Sequence, residues 1–217
     1  MLRLDITSRE QIISFANKLK KREFAWNVLI SAPGVLEPIG SFFSIDFDAW
    51  DKSFITNSTA QLRVLHTVYG LRERSSPAKV ILFAGGGTNG PFDNYSAYCA
   101  GKLVLIKMTE LLDSECPDLQ ISIVGTGWVN TKIHQQTLAA GDAAGQNFNR
   151  TREYLKVAEG TVANLETVVE CIDWCLSAPR NAVGGRNFSL VHDPWRDADL
   201  IEVLNADPNL YKLRRHS

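Results

Sequence analysis

Residues Lys79 to Lys102, KVILFAGGGTNGPFDNYSAYCAGK, are the stretch from which the fold is read. Val80-Ile81-Leu82-Phe83-Ala84 is an apolar run without alternation, the pattern of a strand covered on both faces. Gly85, Gly86 and Gly87 end it, and a loop punctuated by Asn89-Gly90-Pro91 and Asp93-Asn94 follows. A helix is predicted from near Tyr95, carrying Tyr98 and Lys102 four residues apart and therefore on one face. A phenol beside an ammonium, at the carboxyl end of a buried strand, is an acid/base pair in the place where open α/β sheets bind ligands.

The pattern repeats on both sides of this stretch. Residues 1–6 read as a short strand, and Thr7 or Ser8 as the N-cap of a helix whose apolar Ile12, Phe15, Ala16 and Leu19 oppose the basic Lys18, Lys20, Lys21 and Arg22. Ala25 to Ser31 is a strand stopped by Ala32-Pro33-Gly34, and one long helix is predicted from Asp46 or Asp48 to about Leu71. Asn57, on the apolar face of that helix, is either a core amide bonded to nearby backbone or a site residue. Beyond Lys102 the helix runs through Leu103, Ile106 and Leu111 to about Ser114. Leu119 to Val124 is a strand ending in Gly125-Thr126-Gly127-Trp128. Residues 131–158 are polar and helix-compatible but interrupted by Gly141 and Gly145, as a flap would be; a helix from Thr161 to Leu176 and a strand from Arg186 to Val191 complete the chain. Alternation of strand and helix predicts an α/β fold, a Rossmann-like doubly wound parallel sheet forming a single domain over residues 1–217.

A formal charge of −1 gives no electrostatic case for nucleic acid or an anionic membrane as partner. No apolar run reaches the roughly 18 residues of a membrane span, and Asp5 interrupts any signal-peptide core, so the cytoplasm is the expected location. Cys99, Cys116, Cys171 and Cys175 have no framework spacing and read as packing thiols. His66, His134, His192 and His216 are scattered, so no metal is expected. A G-x-S-x-G elbow is missing, and the three glycines lack the Lys-Ser/Thr of a P-loop.

Read together, these elements resemble a short-chain dehydrogenase/reductase. The most specific part is Tyr98-x-x-x-Lys102 in the context Tyr95-Ser96-Ala97-Tyr98-Cys99-Ala100-Gly101-Lys102. Asp5-Ile6-Thr7 is similar to the family's D-V-T, whose Asp approaches the adenine. Leu29 to Val35, including Ser31 and Ala32, occupies the place of its L-V-N-N-A-G-V. Trp50 to Asn57 resembles the helix that carries the family's catalytic Asn, and Thr126-Gly127-Trp128-Val129-Asn130-Thr131 takes the place of the P-G-x-V-x-T motif beside the nicotinamide. The three glycines, Asp193-Pro194-Trp195 and the tail from Leu210 to Arg215 are further similar to members found with bacterial surface-polysaccharide genes.

The resemblance implies an oxidoreductase that uses NAD or NADP and acts on a small alcohol or carbonyl compound. Tyr98 is then the acid/base, and Lys102 lowers its pKa and bonds the nicotinamide ribose. Asn57 holds a water linking Lys102 to solvent, and Thr131 orients the carboxamide. It also implies a homodimer or homotetramer through the helices of residues 46–71 and 95–114.

Two departures qualify this. The family begins with a strand, a glycine-rich phosphate turn and a second strand, whereas this chain starts at what resembles its third strand. An N-terminally truncated sheet with impaired cofactor binding is therefore expected, and a gene product that starts upstream. In the family's strand order two strands would separate residues 2–5 from the next strand by about 14 Å. The strand from Trp26 to Ser31 should then present an exposed apolar edge. The second departure is Gly85, with Ala84 beside it, at the place of the family's catalytic Ser; Thr88 is the nearest hydroxyl on the substrate side. A chain lacking both features is open to a second reading, an inactive homologue that serves as a dimerising partner subunit.

Overall fold

The computed structural model describes residues 2–129, 131–161 and 165–215, with backbone alone for 157–161. Four strands, β1 (Val28–Ser31), β2 (Ala78–Phe83), β3 (Leu119–Gly125) and β4 (Asn187–Ser189), form one parallel sheet in the order β1-β2-β3-β4. The helices are α1 (Arg9–Lys21), α2 (Phe47–Asn57), α3 (Thr59–Val68), α4 (Ser96–Glu115), α5 (Ile133–Ala140), α6 (Gln146–Thr161), α7 (Leu165–Ser177), α8 (Arg180–Val183) and α9 (Leu200–Ala206). Short 3₁₀ turns occupy Phe42–Ser44, Tyr69–Leu71 and Gly141–Ala144.

The unbroken apolar run of β2 has the consequence expected of it, because its alternate residues enter two different cores. Val80, Leu82 and Ala84 pack with Leu65, Val68, Leu105 and Ile106 of α3 and α4. Ile81 packs on the opposite face with Cys171, Ile172 and Cys175 of α7 and Leu200 and Leu204 of α9. Both buried thiols are thus packing residues in an apolar wall. The result is a Rossmann-like α/β sheet covered on both sides.

The structure corrects four expected elements. Residues 2–5 are not a strand. The Asp5 carboxylate instead accepts hydrogen bonds from Thr7 N (2.9 Å) and Thr7 Oγ1 (2.7 Å), a local turn that feeds the Ser8 N-cap of α1. A strand with no neighbour to satisfy its backbone has no reason to stay extended.

The long helix over residues 46–71 is two helices broken at Ser58, whose φ and ψ are −139° and −91°. Asn57 and Ser58 bond back to the carbonyls of Ser53 and Phe54, which competes with the helical ladder. The strands predicted at 25–31 and 186–191 shrink to β1 and β4, with Trp26 bridging Arg72 ahead of β1. The flap has the helical form expected of it, interrupted at both glycines. Gly141 and Gly145, at φ +54° and +55°, terminate α5 and the 3₁₀ turn after it, backbone conformations that glycine adopts without strain.

The apolar edge is present as expected. β1 ends the sheet, and Val28 and Ile30 are 40% and 50% exposed on it. Among the described residues no helix is long and apolar enough to cross a membrane, and no group of three His, Cys, Asp or Glu could hold a metal ion.

Candidate active site

The loops after β1 and β2 and the first two turns of α4 converge at the carboxyl edge of the sheet. α4 is set there by close approach to α2: a Cβ on Gly101 would lie 2.7 Å from Asn57 Cβ and 3.3 Å from the carbonyl oxygen of Phe54. Only a residue without a side chain lets the two helices meet this closely. Trp50 Nε1 donates to Ser96 Oγ (2.9 Å) and fixes the N-terminus of α4 on the same neighbour.

Lys102 points into this junction and is 3% exposed. Its ammonium donates to the carbonyls of Phe83 (2.9 Å), at the end of β2, and Pro33 (3.3 Å), in the loop after β1. Nζ lies 5.8 Å from the centre of the Tyr98 ring. Burial lowers the Lys102 pKa to about 8. Tyr98, 8% exposed, is pushed up to about 12 by burial and by its neighbour Cys99. Desolvation dominates the phenol, and the ammonium is given to two carbonyls.

Asn57 is fully buried and fully bonded. Oδ1 accepts from Val35 N (3.1 Å), while Nδ2 donates to Val35 O (2.8 Å) and to Ser53 O (3.0 Å). The core-amide reading of this residue holds, and the same amide pins the loop beside Lys102. A Cβ placed on Gly34 would sit 3.8 Å from Asn57 Oδ1 and 4.0 Å from Lys102 Nζ.

Gln61 joins this group without having been singled out from the sequence. It is 1% exposed, accepts from Ser31 Oγ (2.9 Å) and donates to Pro33 O (3.1 Å), the carbonyl that Lys102 also uses. It thereby ties down the stretch where the family's paired amides are missing. Its signal was a polar residue one helical turn beyond Asn57, hidden by the break at Ser58.

Gly85 and Thr88 are at the site, and Thr88 Oγ1 donates to the Gly85 carbonyl (3.2 Å). Ala32 is exposed and makes no polar side-chain contact. Asp5 and Ile6 belong to the turn before α1, and the bonds of Asp5 are local to that turn and to Gln11.

The loop from Gly127 to Thr131 is held by the flap. Trp128 stacks on His134 at 4.9 Å and accepts a hydrogen bond from Tyr154 Oη through its carbonyl (2.7 Å). The buried Val129 accepts one from His134 Nε2 (2.9 Å). Gly127, at φ +66°, lies against Val191, and Thr131 is exposed, its carbonyl taking the His134 N–H (3.3 Å). Asn130 lies outside the described residues, as do Met1 and His216.

α5 and α6 pack down over the centre. Tyr98 shares a cluster with Leu36, Tyr95 and Ala144, onto which Ile133 and Phe148 fold. Leu36 N donates to Gln136 Oε1 (2.6 Å), and Tyr95 Oη to Thr137 Oγ1 (2.9 Å). The polar flap residues that hid its packing role are the ones that latch it.

Fold and site together define a Rossmann-type α/β protein with a Tyr-Lys centre on one helix. The family model for short chain dehydrogenases matches residues 1–141, and the chain belongs to that family. An uncharacterized oxidoreductase of Schizosaccharomyces pombe is 30% identical over 122 residues, which are 55% of this chain and 48% of that protein. The chain thus spans about half the length of this curated relative.

Solved structures share the fold. A short chain dehydrogenase/reductase from Saccharomyces cerevisiae superposes with a TM-score of 0.76 at 19% identity, covering 89% of this chain and 76% of its own. The ligand-free aldohexose dehydrogenase of Thermoplasma acidophilum gives 0.71 at 15%, covering 87% and 75%. An NAD+-bound xylitol dehydrogenase gives 0.71 at 16%, covering 86% and 75%.

Proposed function

We propose that the chain is an NAD(P)-dependent oxidoreductase acting on an alcohol or carbonyl substrate, with Tyr98 as its acid/base. The observation that carries this reading is the placement of Lys102 between two neighbours at the carboxyl edge of the sheet: Asn57 beside the bare backbone of Gly34, and the Tyr98 ring, its centre 5.8 Å from Nζ. The residues present fit the nicotinamide-ribose end of such a cofactor. Gly34 brings bare backbone beside a buried ammonium, covered by the Ile133 side chain, and Lys102 has a third N–H beyond the two given to carbonyls. Lys102 and the loop from Gly127 to Thr131 would hold that end. A bound nicotinamide supplies the hydride donor or acceptor.

The protonation states favour carbonyl reduction. Tyr98 keeps its proton up to about pH 12, so at neutral pH it is in the form that can donate to a carbonyl oxygen, and the phenolate that would take an alcohol's proton is scarce. Lys102 is charged below about pH 8, where it faces the phenolate left after that proton transfer. Reductase activity should therefore fall as pH rises through about 8. Substrate reaches Tyr98 only when α5 and α6 lift from Leu36 and Tyr95. Assembly as a homodimer or homotetramer through helices α2 to α4 completes the reading.

A second reading, a partner subunit without catalysis, is favoured by Gly85 in place of a hydroxyl side chain and by Thr88 Oγ1 turned onto the Gly85 carbonyl. Loss of one such donor typically lowers the rate about 10²- to 10³-fold. Titration with NADH and NADPH, followed by nucleotide fluorescence, separates the two. Saturable binding that Lys102→Met weakens is expected, and no binding up to millimolar nucleotide would leave the partner reading.

A further inference from the structure

We infer that Gly85 is the seat of the Tyr98 phenol: the side chain missing at residue 85 leaves, at the end of β2, the volume in which the Tyr98 hydroxyl lies. Gly85 is then a positioning residue for Tyr98, and no side-chain hydroxyl at residue 85 can share that volume with it. The inference concerns packing and stands whether or not the chain transfers hydride.

The distances are decisive. A Cβ built on Gly85 would lie 2.1 Å from Tyr98 Oη, 2.5 Å from Cζ and 2.7 Å from Cε1. Non-bonded heavy atoms of this kind rest at roughly 3.5–4.0 Å, so the ring and a side chain exclude each other. Gly85 is not in the left-handed region, unlike Gly87 at φ +79°. Space, not backbone conformation, is what its missing side chain provides.

The helix and the strand end are fixed against each other, so the phenol is what must move. α4 grips the strand end through successive side chains: Lys102 bonds the carbonyl of Phe83, Tyr98 covers Gly85, and Cys99 Sγ contacts the carbonyl of Gly86 (3.5 Å). α4 is itself held by the close approach of Gly101 to Asn57. On its other side the Tyr98 ring meets Leu36, Tyr95 and Ala144. Restoring a serine at residue 85 would accordingly drive the phenol out through the flap rather than add a donor beside it.

The test needs no cofactor or substrate. Acetylation of Tyr98 by N-acetylimidazole, followed by peptide mass spectrometry, reads its exposure in the full chain. In Gly85→Ala and Gly85→Ser the rate at Tyr98 is expected to rise about tenfold or more, the shift that about 1.4 kcal/mol of overpacking produces. Gly86→Ala, whose new Cβ would meet Phe92 at an ordinary 3.8 Å, should match the parent. An unchanged rate in a folded Gly85→Ala protein overturns the inference.

Should Gly85→Ala not fold, the double variant with Tyr98→Ala decides. Recovery of the melting temperature of Tyr98→Ala alone supports the seat, and an equally unfolded double variant refutes it. The cofactor titration is independent of both outcomes.

Discussion

Lys102 is a buried cation that meets no carboxylate among the groups acting on it, and the consequence is a pH-dependent stability. Its pKa falls from 10.5 in the free side chain to about 8 in the fold. Between these values the unfolded chain binds more protons than the native one, so stability rises with pH across that window. The contribution approaches about 1.4 kcal/mol per pH unit. Denaturant unfolding from pH 7.5 to 9.5 should show this slope as the difference between the parent and Lys102→Met. Taking the difference matters because Cys99 and Tyr98, both raised by burial, act with the opposite sign above about pH 9 and pH 10. At the same scale Gln61 serves three backbone or hydroxyl partners at once. Gln61→Leu leaves Ser31 Oγ and the carbonyls of Pro33 and Thr56 short of a partner. It should cost about 1–3 kcal/mol in the same unfolding assay, whereas Gln61→Glu should be judged separately because it adds a buried charge.

Among elements, the junction of α2 with α4 sets the geometry of the site. Asn57 pins the loop after β1, the chain breaks at Ser58, and α3 continues in a new direction with Gln61 turned to the same loop. One helix through residues 46–71 would have placed Asn57 and Gln61 by simple periodicity; the break lets each side chain reach its own carbonyls. Gly101→Ala tests the junction. Its Cβ would press on Asn57 Cβ and on rigid backbone at 3.3 Å, so a loss of about 1–3 kcal/mol is expected. Gly90→Ala, with nothing within 4 Å and no positive φ, should leave the melting temperature nearly unchanged.

Over the whole molecule, two apolar surfaces stand out. One is the sheet edge at β1. The other is an aromatic strip where Phe47 stacks on Trp50 (5.4 Å) and Trp50 on Phe54 (5.3 Å), flanked by Phe43, which is 95% exposed. The strip belongs to the helices through which we propose that copies of the chain pair. A double substitution, Phe43→Glu with Phe47→Glu, should shift the mass measured by sedimentation toward the monomer with little change in thermal stability. An unchanged mass would exclude this strip as the contact.

The amino-acid sequence by itself determined the parallel α/β architecture, because an unbroken apolar strand must be covered on both faces and Val80 to Phe83 is covered on both. It determined the Tyr98 and Lys102 pairing for an equally local reason, since four residues on a helix share a face. It placed Gly85 where a hydroxyl is missing. Tertiary structure alone decided what fills that place, because the fit of the Tyr98 phenol against residue 85 depends on how α4 meets the end of β2. It also decided that Lys102 serves carbonyls, that Gln61 takes over from missing amides, and that polar flap residues latch the site shut. Each of these is a contact between segments distant in the chain, and spacing along one segment carries no information about it.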